Sequence, residues 1–95
     1  MIVGTLKVIV HFHVAQSLKD KRSEVKRILA RIKPLYPVAM AEVGELDKWQ
    51  TSELGFVCVS NDQAVCERIL DGVEAELESK GDAEVMRSER DYIHM

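Results

Sequence analysis

The chain has 95 residues, 46% of them hydrophobic, which supports one core and excludes two domains, because a domain of this length hides about 60–70% of its unfolded surface. Its formal charge is −3, from 13 basic and 16 acidic residues, but residues 17–33 hold seven basic side chains against only Asp20 and Glu24. Six basic and fourteen acidic residues remain for the other positions, so an acidic molecule carries one segment suited to meeting an anion.

The opening Met1-Ile2-Val3-Gly4-Thr5-Leu6 is apolar, yet no basic residue precedes it and Lys7 ends it, which argues against a signal peptide or membrane span. A cytoplasmic location without a membrane partner is expected. From Ile2 to Val14, Leu6, Val8, Val10 and Phe12 alternate with Thr5, Lys7, Ile9, His11 and His13, the period of two that predicts a strand with one packed face. Ser17 then supplies an N-cap hydroxyl with Asp20 three residues on, and Leu18, Val25, Ile28, Leu29 and Ile32 recur at helical spacing until Pro34.

Two short apolar segments follow, Val38 to Val43 and Leu54 to Val59, separated by the polar stretch Gly44 to Ser52, and they read as a hairpin with a long connection. Which face of these strands looks inward stays open, because Ala39, Ala41 and Val43 compete with Val38, Met40 and Glu42. Asn61 or Asp62 can cap a second helix with Cys66, Ile69, Leu70, Val73 and Leu77 on its apolar stripe and Glu67, Asp71, Glu74 and Glu78 outside. Gly81-Asp82 marks its exit, and Ala83 to Tyr92 reads as an edge strand guarded by charge. The order βαββαβ with right-handed crossovers predicts an α+β, ferredoxin-like domain over residues 1–95, with a four-stranded antiparallel sheet in the order 4-1-3-2 and two helices on one face.

In that topology the end of the first strand, the opening of the first helix and the connection between the second and third strands share one end of the molecule. On the helix, Lys19, Arg22, Lys26 and Lys33 fall on one flank, a candidate surface for RNA phosphate to which Arg27 can contribute. The competing reading is a solvated flank that balances the acidic stripe of the second helix. Lys21 falls towards the apolar side, where its ammonium is expected to meet Glu45, Asp47 or Glu42. Glu42, Glu45 and Asp47 would then neutralise Lys21, Arg22 and Lys48, and Trp49 would anchor the connection or contact a partner.

Other chemistry finds less support. His11 and His13, about 7 Å apart between α-carbons on one side of a strand, are weak metal candidates that need an acid such as Glu53 or Glu84 to complete a set. Cys58 and Cys66 form no CxxC and read as buried hydrophobes. No serine sits in a nucleophile elbow and no Gly-rich phosphate loop occurs, so neither an enzyme nor a cofactor is expected. The third strand, Gly55-Phe56-Val57-Cys58-Val59, lacks the second aromatic that sheet-face RNA recognition requires.

The segments SLKDKR at 17–22, AEVGELDKWQTSELG at 41–55 and SND at 60–62 resemble the YlxP-like bacterial proteins, a family of unknown function. The resemblance spans essentially the whole chain. It implies a ferredoxin-like fold and a small cytoplasmic protein often encoded among translation and ribosome-maturation genes, with no established activity or cofactor. His11 and His13 match no motif of that family. Three functions are therefore expected to compete: an RNA- or ribosome-binding accessory acting through the basic helix, a homodimer formed through the open sheet face (Val3, Ile9, Val57, Val59), and a small-ligand or metal protein using the two histidines.

Overall fold

Alternation along the first segment closes into strand β1 (Ile2–His11), whose Leu6, Val8 and Val10 are buried while Lys7 stays exposed. The computed structural model describes residues 1–81 and 83–95 and continues with α1 (Leu18–Ile32), β2 (Ala39–Gly44), β3 (Thr51–Ser60), α2 (Gln63–Glu78) and β4 (Glu84–His94). Neighbouring strands pair antiparallel in the order β2-β3-β1-β4, the expected order read from the opposite edge.

One sheet face is covered. Leu6, Val8 and Val10 of β1 and Leu54, Phe56 and Cys58 of β3 pack with Val25, Ile28 and Ile32 of α1 and with Cys66, Leu70, Val73 and Leu77 of α2. The segment after α1 approaches α2 closely where the Tyr36 ring lies over Gly72. A Cβ on Gly72 would stand 2.3 Å from that ring, so only glycine lets the segment after α1 rest on α2. Arg31 ties the same two helices, its Nε lying 3.0 Å from Glu76 Oε1 and its Nη2 donating to the Glu76 carbonyl at 3.1 Å.

Caps form as the residue types dictate. Ser17 Oγ accepts from Asp20 N at 3.1 Å, and the Asp20 carboxylate accepts from Gln16 N at 3.1 Å, so one orphan amide of the first turn and the amide just before the cap are satisfied. For α2 the cap is Asp62, whose Oδ1 accepts from Ala64 N at 3.0 Å. Gly81 takes φ +69, while Asp82, named with it as the exit, lies outside the described residues.

Two boundaries differ from expectation by three residues, the others by one or two. The first strand stops at His11, although Phe12 remains buried and donates its N–H to the Gln50 carbonyl at 2.8 Å. The third begins at Thr51 rather than Leu54, because Thr51, Ser52 and Glu53 pair with His11, Val10 and Ile9 although none is apolar. Ser52 points inward, in phase with Leu54 and Phe56, and finds a polar partner there. The open question about β2 is also answered: Met40 and Glu42 pair with Phe56 and Leu54 on the helix side, leaving Ala39, Ala41 and Val43 exposed. Among the described residues no helix is long and apolar enough to cross a membrane.

Candidate functional site

The opening turn of α1 and the connection between β2 and β3 are neighbours, joined by a buried ammonium. Lys21 lies on the same stripe as Val25, Ile28 and Ile32 and is wholly enclosed at 0% exposure. Its Nζ lies 2.9 Å from Glu42 Oε2 and donates to the carbonyls of Glu45 at 2.7 Å and Thr51 at 3.2 Å. Ser52 Oγ donates to the same Glu42 oxygen at 2.7 Å. Every proton of the ammonium therefore has an acceptor, which is the condition for burying a charge at all. Of the three acids expected to serve Lys21, Glu42 does so with its carboxylate and Glu45 with its backbone.

Glu45 adopts φ +58, a left-handed conformation that costs a non-glycine residue about 1 kcal/mol. This backbone turn aims the Glu45 carbonyl at Lys21 and leaves its side chain to Lys48, whose Nζ lies 2.8 Å from Glu45 Oε2. That hydrogen bond raises the Lys48 pKa, with Asp47 adding a smaller push through its field. Gln50 closes the loop on the other side, its Nε2 donating to the Ala15 carbonyl at 3.1 Å. Trp49, by contrast, is 46% exposed, so the anchoring expected of it is carried by Lys21 and Gln50.

The remaining cations of α1 divide into two groups. Arg27 is ion-paired with Glu24 one turn earlier, and Arg31 with Glu76 of α2. Lys19, Arg22, Lys26 and Lys33 are exposed and make no ion pair among the described residues. Lys19, Arg22, Ser23 and Lys26 line one shallow depression, and Lys26 and Lys33 line a second with Leu29, Val38 and Met40. The two share Lys26. The result is a continuous cationic track along α1, about 21 Å from Lys19 to Lys33 at 1.5 Å per residue. Two acids of the α2 stripe are occupied elsewhere: Asp71 and Glu74 hold Arg90 of β4 at 2.7 and 3.1 Å. Burial works against the Arg90 charge, but hydrogen bonds to Tyr92, Asp71 and Glu74 outweigh it and raise its pKa.

His11 and His13 do come together, their rings 4.6 Å apart and edge-on, with His13 Nε2 3.6 Å from Glu84 Oε1. Glu53, the other acid considered for them, lies instead 3.4 Å from Lys7 Nζ. Among the described residues, no group of three or more His, Cys, Asp or Glu can hold a metal ion. Cys58 and Cys66 are buried and free, and burial, reinforced by the Cys66 sulfur, pushes the Cys58 thiol up to about 11. Both behave as small hydrophobes.

The sheet face away from the helices is half apolar and half ionic. Val57, Val59 and Ile93 are exposed there, with Val3 between them in register. Further along, Lys7 bridges Glu53 and Glu89 at 3.4 and 3.8 Å. Two residues of the site, Ser52 and Gln50, escape a reading of the sequence. The first has a signal there, since it sits in phase with the buried positions of β3.

This topology and its one-sided helices define a ferredoxin-like fold, and solved structures agree. The chain is similar to the de novo designed protein LFR1 1 with ferredoxin fold (TM-score 0.61, 14% identity, 100% of this chain and 88% of that one). It is also similar to the de novo designed protein Foldit4 (TM-score 0.56, 17% identity, 99% and 97%). At such identities the likeness concerns the fold alone. The chain belongs to the DUF503 family, proteins of unknown function, which matches residues 3–90. A relative is the "Uncharacterized protein YlxP" of Bacillus subtilis (strain 168), 38% identical over 65 residues that make up 68% of this chain and 71% of that protein. The resemblance read from the sequence is thereby borne out.

Proposed function

We propose that this chain is a non-enzymatic accessory of translation or ribosome assembly that binds RNA phosphate through the flank formed by Lys19, Arg22 and Lys26 of α1 and Lys33 at its C-cap. The observation that carries this reading is the division of labour among the cations of one helix. Lys21, Arg27 and Arg31 are each engaged by acids of the molecule itself, whereas the four on the flank make no ion pair among the described residues and can neutralise an external anion. Among the described residues, the exposed aromatic ring suited to base stacking is Trp49, so the contacts are to the backbone and largely indifferent to sequence. The test is titration of ribosomal RNA with the protein and with the Lys19→Glu/Arg22→Glu/Lys26→Glu variant at low salt. Binding that the triple variant abolishes is expected; no binding, or binding that survives the charge reversal, refutes the reading.

A second reading, a homodimer through the open sheet face, is favoured by the apolar half of that face, where Val57, Val59 and Ile93 are 39%, 58% and 46% exposed. A solution mass that doubles with concentration, and that returns to one chain in Val59→Lys, supports it; a strictly monomeric mass removes it.

A further inference from the structure

The two outer strands of the sheet are treated differently by the sequence. β4 carries Glu84, Arg87, Glu89, Arg90 and Asp91, the charged side chains by which an edge resists pairing with another chain. β2, at the other edge, carries one charge, Glu42, and that carboxylate is turned inward to Lys21 and Ser52. Its outward positions Ala39, Ala41 and Val43 are small and apolar. Beside this bare edge, on the helix side, runs a groove with an apolar floor of Leu29, Val38 and Met40 and two cationic rims, Lys26 and Lys33.

We infer that β2 is a docking edge that accepts an extended acidic segment of a partner protein as a fifth strand. The backbone amides and carbonyls of β2 that face away from β3 supply the ladder, over about 20 Å for six residues. Alternate side chains of the added strand fall on opposite faces. On the helix side acids meet Lys26 and Lys33, and on the open side apolar residues lie beside Ala39, Ala41 and Val43. Charge selects this occupant over a second copy of the chain. Antiparallel pairing of β2 with its own copy sets two α1 helices side by side on one face, bringing Lys26 and Lys33 of each against those of the other. Both lysines also belong to the flank proposed for RNA, but the β2 backbone does not, so perturbing the strand separates the two.

The probe is a fluorescein-labelled peptide, acetyl-Val-Glu-Val-Glu-Val-Glu-Val, titrated with the intact protein and followed by anisotropy. Saturable binding is expected, weakened at least about tenfold by N-methylation of alternate peptide residues, by Ala41→Pro, and by Lys26→Glu/Lys33→Glu. The N-methylated peptide leaves the protein unaltered, so the result stands even where the proline variant fails to fold. Absence of binding up to about 1 mM peptide overturns the proposal. Equal affinity for the N-methylated peptide also overturns it, by reducing the site to charge alone. A β2-linked dimer that the peptide does not displace assigns the edge to a second copy and overturns it equally. Failure of the RNA titration leaves these outcomes unchanged, because the peptide assay reads a backbone edge that RNA does not use.

Discussion

Lys21 and Lys26 sit on the same helix, five residues apart, and their surroundings give them opposite work. Lys21 lies on the apolar stripe, wholly enclosed, with a carboxylate and backbone carbonyls for its protons. Lys26 lies a little over a quarter turn off that stripe, exposed, lining both depressions of the cationic track. The contrast shows that charge count alone does not define an anion site. What counts is the charge left after the molecule has satisfied its own acids, and on α1 that surplus is concentrated on one flank.

The strongest way to break this contrast is at its buried end. Lys21→Met keeps the stem but leaves Glu42 and the Glu45 and Thr51 carbonyls without their donor. It is expected to lower stability by about 3–5 kcal/mol, with Tm falling by about 15 °C or more. A urea denaturation showing a loss under about 1 kcal/mol would contradict the anchoring role. Arg31→Met, which unties α1 from α2 at a half-buried pair, is expected to cost about 1–2 kcal/mol in the same measurement. At the exposed end, Lys19→Glu/Arg22→Glu/Lys26→Glu should change stability by less than about 0.5 kcal/mol, so that any loss of RNA binding is not a loss of fold.

The last effect is confined to high pH. With its thiol raised from 9.0 to about 11, Cys58 keeps a proton in the folded protein that the unfolded chain releases. Its contribution to stability is therefore complete below pH 9 and is lost as pH rises through 11. The urea midpoint of the native protein should fall more steeply over that window than that of Cys58→Ala; parallel curves would show that the buried thiol has no such linkage.

Much of the fold and part of the site are legible in the amino-acid order itself. The alternation of Leu6, Val8, Val10 and Phe12, the Ser17 and Asp20 cap, and the inward phase of Lys21 all follow from periods of two and 3.6 residues, which local sequence displays directly. What is not legible depends on partners distant in the chain. Thr51, Ser52 and Glu53 look like a loop until β1 pairs with them, and the choice of Glu42 over Asp47 for Lys21 requires knowing which face of β2 is turned inward. Trp49 misleads by size: an aromatic in a loop suggests an anchor, but a lysine and a glutamine already hold both sides of the connection.

The central claim, that the uncommitted cations of α1 are an anion-binding face, is tested most directly by the salt dependence of RNA binding for the native chain and for Lys26→Gln. The logarithm of the binding constant against the logarithm of salt concentration should fall with a slope of about −3 for four phosphate contacts, and the slope should lessen by about 1 in the variant. A binding constant that does not respond to salt, or a slope that Lys26→Gln leaves unaltered, would contradict it.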